Sequence, residues 1–266
     1  MVDPLPLIAY DTLAEQTEAL YRDGYAYLPG VLTSDQVTKL RDHMDTLTPI
    51  SESFDKNGRP EDVGFINKHI NNAFNRHAHF LQFLDRPGVI ELAEAIHGDD
   101  CHCIGMTAWM TGPGRPDQNL HTDWLPLSLP ADILEDSRVR IPIFITTAHF
   151  YLDDITEALG PTNFIPGSHL SGRSPNGDTV WKGQTEKSIM CNAGDVVIFR
   201  SEVWHRGTAN TSDKTRFLLQ VHYAKRMITQ KYPPYLNRFQ FDLEILEQAT
   251  PRQRRLMGDH KSSNYD

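Results

Sequence analysis

His121, Asp123 and His205 are the residues of this chain whose types could do chemistry together. Two imidazoles and one carboxylate on a single face of an ion form the ligand set of a mononuclear non-haem iron(II) centre, with positions left open for substrate and oxygen. Open positions mark a catalytic metal, because a structural site closes its shell with protein. Arg216, further along, adds a cation able to hold an anionic ligand beside such an ion.

His-x-Asp occurs three times, so spacing alone does not choose the ligands. His43-Met44-Asp45 lies in Ser34 to Leu47, where Val37, Leu40, Met44 and Leu47 recur at three and four and predict a helix. Two residues along a helix are rotated by roughly 200°, so the side chains diverge. His97-Gly98-Asp99 ends a second helical run, Val89 to Ile96, with Gly98 at the cap and His97 near the negative end of the dipole. His121-Thr122-Asp123 follows the turn-rich Thr111 to Asp117 and opens no helical period, which predicts extended backbone. There residues i and i+2 share a face, and His121 and Asp123 can reach one ion while Thr122 points away.

The same alternation places Arg216. In Thr215 to Tyr223 the odd positions Phe217, Leu219, Val221 and Tyr223 are apolar, predicting a face against helices and an inward-turned Arg216. A buried arginine requires an anion, either a ligand or a protein carboxylate.

The elements that must position these groups change character along the chain. Residues 1–100 read as mainly helical: Leu13 to Tyr21, then a short strand Gly24 to Leu28, then a helix capped at Thr33 or Ser34 with Gln36 closing a capping box. Asp55 to Gly64 reads as a loop. Residues 101–225 carry short β runs at Ile104 to Met110, Ile141 to Leu152, Asn163 to Pro166, Val196 to Phe199 and Thr215 to Tyr223. Residues 226–266 end in a short helix, with Thr250 as cap, Pro251 at its first position and Gly258 after it. The pattern predicts one α+β domain, a jelly roll backed by the N-terminal helices.

Composition narrows the function classes. A net charge of −9 and a pI near 5.7 disfavour nucleic-acid and anionic-membrane partners. Arg252, Arg254 and Arg255 read as a solvated helix face. Three cysteines without a C-x-x-C exclude a disulfide framework and a cysteine zinc site, and fit a reducing compartment. With no signal-like N-terminus and no apolar window of spanning length, a cytoplasmic protein, monomer or homodimer, is expected. Gly112 and Gly114 make no phosphate loop, since no G-K-[ST] follows. His69, His77 and His79 lack a carboxylate at ligand spacing and read as polar pocket or surface residues. Trp109 and Trp124 read as core, with Trp124 also placed to line a cavity beside Asp123.

Four motifs in order carry a resemblance: Gln118 to Asp123, Gly160-Pro161-Thr162-Asn163-Phe164-Ile165-Pro166-Gly167-Ser168-His169, Gly194 to Phe199, and Trp204-His205-Arg206-Gly207 followed by Arg216. Over nearly its full length the chain resembles the phytanoyl-CoA dioxygenase family of iron(II)- and 2-oxoglutarate-dependent oxygenases. The resemblance implies a double-stranded β-helix core, with iron(II) held by His121, Asp123 and His205, and the distal carboxylate of 2-oxoglutarate held by Arg216. It implies O2 as the oxidant and a small-molecule substrate hydroxylated or otherwise oxidised at an unactivated C–H bond, with release of succinate and CO2. Gln118, His149 and Lys68 fall where relatives contact the cosubstrate, although His149 stands where an aromatic is usual. Trp124 and Asn71 are expected to line the substrate pocket, and His169 to be structural. Halogenating relatives carry a small residue in place of Asp123, so halogenation is disfavoured. Two rival readings are a cupin-like metal enzyme that does not use 2-oxoglutarate and a non-catalytic small-molecule sensor on the same fold.

Overall fold

Three threonines start helices in this protein, each by the same local chemistry. Thr12, Thr33 and Thr250 accept from the backbone N–H three residues on, while Glu15, Gln36 and Gln253 return a side-chain oxygen to the cap. Each such box contributes about 1 kcal/mol. The first two launch α1 (Leu13–Arg22) and, after β1 (Tyr25–Leu28), α2 (Ser34–Thr46). The computed structural model describes residues 2–47, 66–125, 127–136, 138–232 and 239–261, so the loop expected at Asp55 to Gly64 lies outside the described residues.

The chain continues through β2 (Asn67–Asn71), α3 (Val89–His97), β3 (His102–Thr111), the short α4 (Ala131–Leu134), β4 (Ile145–Tyr151) and β5 (Thr162–Phe164). Then come β6 (Lys187–Ser188), β7 (Val196–Arg200), β8 (His205–Gly207), β9 (Arg216–Ala224), α5 (Leu243–Gln248) and α6 (Pro251–Leu256). The strands form a six-stranded sheet in the order β1-β7-β4-β9-β3-β2 and a three-stranded sheet in the order β6-β5-β8, with every pairing antiparallel. This is the jelly roll that the sequence pattern implied, with helices packed on the outer face of the larger sheet.

Alternation along the central strands splits the interior into two layers. Phe217, Leu219, Val221 and Tyr223 of β9, with Ala148 and Phe150 of β4, join the helices in the larger core. Leu218, Tyr151, Val197 and Phe199 face the smaller sheet and pack on Phe164 and Ile189. Polar residues of the second face therefore lie between the sheets.

The structure differs from the sequence reading in several places. β2 reads as polar, yet Asn67 to Asn71 pairs along β3 as an edge strand, with Ile70 buried and Asn71 exposed. α5 was not expected; its cap is Asp242, which accepts from Glu244 and Ile245. α6 is not a solvated face throughout, because Arg252 and Arg255 both bind Glu94 on α3. Trp124 is not core, being 37% exposed. No helix among the described residues is long and apolar enough to cross a membrane.

Candidate active site

β8 positions the first candidate ligand. His205 exchanges both backbone hydrogen bonds with His121 at 2.9 Å, so a single antiparallel bridge seats the two imidazoles side by side, ring centroids 4.4 Å apart. Two residues on, the Asp123 N–H donates to Ser201 O at 3.1 Å, which brings its carboxylate onto the same side. Asp123 Oδ1 lies 3.6 Å from His205 Nε2 and 3.9 Å from His121 Nε2. Among the described residues, these three form the group able to hold a metal ion, their donor atoms within 4.8 Å of one another.

The backbone selects the tautomers. His121 Nδ1 faces Asn119 O at 2.8 Å and His205 Nδ1 faces Val203 O at 2.9 Å, which assigns the proton to Nδ1 and leaves each Nε2 lone pair for an ion. Burial would raise the Asp123 carboxyl, but the facing His205 reverses the sign and holds it far below the usual carboxylate range. For His205, burial would lower the imidazole, and the Asp123 charge outweighs it and raises it. A carboxylate kept ionised beside two convergent nitrogens fits a divalent transition-metal cation with open positions.

The other two His-x-Asp pairs are placed apart from the cavity. His43 lies on α2, stacked with His77 and His79 at ring centroid distances of 4.2 Å each. His97 ends α3 and sits buried against Thr146 Oγ1 at 2.9 Å, with Gly98 capping at φ +102°.

The cavity beside the three ligands is lined by Arg216, Gln118, His149 and Asn71 from the sequence expectations. Arg216 is 7% exposed, and its Nε has no hydrogen-bond partner. Burial depresses its guanidinium to about 10. The carboxylate whose charge reaches it, Asp153, is engaged by Arg41 and by the Phe217 N–H at 2.7 Å. The Tyr151 hydroxyl, also buried, likewise lacks a partner. A buried guanidinium with spare donors at the wall of a cavity is a ready receptor for a carboxylate. The donor set and this orphaned arginine together fit an iron ion with a bidentate 2-oxo acid.

Gln118 is held differently from a free amide: its Oε1 accepts from the Gly207 N–H at 2.8 Å, leaving only the NH2 for a ligand. Lys68 lies on β2 and is not among the cavity-lining residues. Trp124, expected in the pocket, is also not among the cavity-lining residues; it touches the cavity only through Lys231, whose ammonium lies 5.5 Å from its ring centroid. His169 reaches Tyr21 O at 3.2 Å, tying its loop to α1.

Sequence reasoning missed several residues that line the cavity or brace its ligands. Gln220 and His222 follow Arg216 on β9 at even positions, so the alternation that turned Arg216 inward would have found them. Thr147, two before His149 on β4, holds His222 Nδ1 at 3.0 Å and Asp123 Oδ2 at 3.4 Å. Arg115, 8% exposed, donates to Gly207 O at 3.1 Å and so braces the strand that carries His205. Burial drives His222 down to about 3 and His149 well below the ordinary imidazole range, so both are neutral hydrogen-bonding groups.

Known proteins resemble this chain in sequence and in fold. The phytanoyl-CoA dioxygenase (PhyH) family model matches residues 20–218. Dioxygenase trt7 of Aspergillus terreus is 29% identical over 175 residues, which are 63% of this chain and 54% of that protein. The chain thus spans about half the length of that relative. The structure superposes on the epimerase SnoN in complex with Fe3+, alpha-ketoglutarate and nogalamycin RO with a TM-score of 0.65 at 18% identity, covering 86% of this chain and 93% of SnoN. HygX from Streptomyces hygroscopicus, with nickel, 2-oxoglutarate and hygromycin B bound, gives 0.62 at 16% identity, covering 85% and 95%.

Proposed function

Because the chain belongs to the phytanoyl-CoA dioxygenase family of iron(II)- and 2-oxoglutarate-dependent oxygenases, we propose that it oxidises an unactivated C–H bond of a small molecule. In the simplest outcome O2, 2-oxoglutarate and the substrate give the alcohol, succinate and CO2. Iron(II) with its 2-oxo acid, once bound, supplies the oxidising chemistry. The protein's own residues supply position and charge.

His121, Asp123 and His205 would hold the ion from one side, with the Nδ1–carbonyl contacts keeping both imidazoles in the binding tautomer. Thr147 steadies the carboxylate through its hydroxyl. Arg216 would receive the distal carboxylate of the cosubstrate, while Leu218 and Trp109 give the cavity its apolar wall. Gln118 and Arg115 clamp Gly207 from both of its backbone groups and so set the height of His205.

The observation that carries this reading is Arg216, a buried guanidinium without a carboxylate partner in the same cavity as a convergent two-histidine, one-carboxylate set. A metal enzyme that ignored 2-oxoglutarate would need another anion to meet that charge. The test is anaerobic titration of the iron(II) protein with 2-oxoglutarate, following the metal-to-ligand charge-transfer band, and then admission of O2 to score succinate. Without the band and without succinate, the cupin-like metal enzyme would take first place.

A further inference from the structure

A β-bulge beside the cavity carries a lysine to its mouth. The register of β3 against β9 shifts between Cys103 and Gly105, and Lys231 donates its backbone N–H to Ile104 O at 2.9 Å within that irregularity. Gly105 leaves the room that the lysine stem occupies: a Cβ there would stand 3.2 Å from Lys231 Cδ and 3.8 Å from His222 Cδ2. Bulges at the rim of a barrel commonly re-aim a side chain in this way. The ammonium emerges over the face of Trp124 and lines the same cavity as Asn71, Thr107, His222 and Asp123. Among the described residues, Lys231 has no ion-pair partner.

The charges of the lining decide what this lysine can serve. Three cations, Arg115, Arg216 and Lys231, face a single carboxylate, Asp123. An iron(II) ion and a 2-oxoglutarate dianion cancel each other, and Asp123 offsets Arg216. Arg115 has the charge of Asp117 beside it and turns its Nη1 to the carbonyls of Gly207 and Thr208. Lys231 is left without a counter-ion. The nearby amide is also a donor: Asn71 Oδ1 accepts from Thr107 Oγ1 at 3.1 Å, so its NH2 remains for a ligand.

We infer that the prime substrate carries an anionic group, a carboxylate or a phosphate, which the Lys231 ammonium meets at the cavity mouth, with Asn71 as a second donor. The inference rests on the oxygenase reading, since it counts the charges of the metal and the cosubstrate. A lysine is a point charge on a flexible stem and does not by itself choose between the two anions.

The test uses the anaerobic iron(II) protein loaded with 2-oxoglutarate. Aliphatic and aromatic carboxylic acids of increasing size are added beside their primary amides, and phosphate monoesters beside their parent alcohols, while the charge-transfer band is followed. In wild type, an acid or a phosphate should shift the band at about tenfold lower concentration than its neutral twin, about what one partly desolvated charge pair contributes. The set that responds identifies the anion. Lys231→Met, which keeps the stem, should erase the preference; Lys231→Arg should keep it; the 2-oxoglutarate Kd should be the same in all three. Equal responses to charged and neutral twins, silence from both included, overturn the inference, as does a preference that survives in Lys231→Met. If wild type develops no band with 2-oxoglutarate, the oxygenase reading fails first and takes this inference with it.

Discussion

The Gln220 amide donates to His149 Nε2 across 3.0 Å, and its orientation is fixed from the other side by Trp109 Nε1, which donates to Gln220 Oε1 at 3.0 Å. The relay leaves the His149 proton on Nδ1, an atom that is buried and without a partner. An imidazole N–H held in one tautomer at the wall of the cavity is a donor waiting for an acceptor.

If that acceptor is the cosubstrate, His149→Phe should weaken 2-oxoglutarate binding about fivefold, one neutral hydrogen bond of about 1 kcal/mol. Gln220→Leu should cost about as much by freeing the tautomer. The double variant should cost little more than either single change, because both break one relay. Additive losses in the anaerobic titration would show that the two residues act separately.

Asp123→Ala should lower iron(II) affinity steeply, since the ion loses its charged protein ligand. His43→Ala should leave iron affinity unchanged. His97→Ala should also leave it unchanged while lowering thermal stability by about 1–3 kcal/mol, because it strips a buried partner from Thr146. Equilibrium iron titration beside calorimetric Tm separates these outcomes, and a large iron loss from His43 or His97 would mean the wrong His-x-Asp has been assigned.

Arg216→Ala should weaken 2-oxoglutarate by roughly 30-fold to several thousandfold, the 2–5 kcal/mol expected when one member of a buried pair is removed. Arg216→Lys should recover part, keeping charge without the fork. Iron affinity should hardly move. Equal cosubstrate dissociation constants would end the assignment.

Asp195 should matter for stability alone. Its carboxylate gathers the Tyr27 hydroxyl at 2.7 Å and the N–H groups of Gly30 and Asn192 at 2.8 Å each, pinning the segment after β1 to the turn before β7. Gly194 beside it sits at φ +97°, and a Cβ there would meet Leu32 O at 2.3 Å. Asp195→Ala should cost about 2–4 kcal/mol in chemical denaturation, several bonds of this kind, with the 2-oxoglutarate Kd unchanged. A changed Kd would mean that this turn reaches the cavity.

Much of the candidate site was legible because strands obey a strict alternation. The apolar odd positions of Thr215 to Tyr223 turn Arg216 inward, and extended backbone at His121 to Asp123 puts both side chains on one side. The helices were legible from period and caps. What stayed hidden depends on contacts between distant segments. Lys231 reads as one more polar residue until the bulge at Gly105 carries it to the cavity. Gln118 reads as free until its oxygen is seen on Gly207, and polar β2 reveals itself only by pairing with β3.

An arginine sealed in without an anion makes the ligand-free protein carry an internal debt. The burial that lowers the Arg216 guanidinium to about 10 opposes folding at neutral pH. The sign follows from proton uptake: the unfolded chain binds the proton more tightly, so the weakening is complete below about 10 and fades as pH rises beyond it. A cosubstrate that binds only the folded chain would act against this weakening, by about 2.7 kcal/mol at a hundred times its Kd. The supply of a central metabolite would then govern how long each molecule escapes proteolysis as well as how fast it turns over, tying abundance to activity through one side chain.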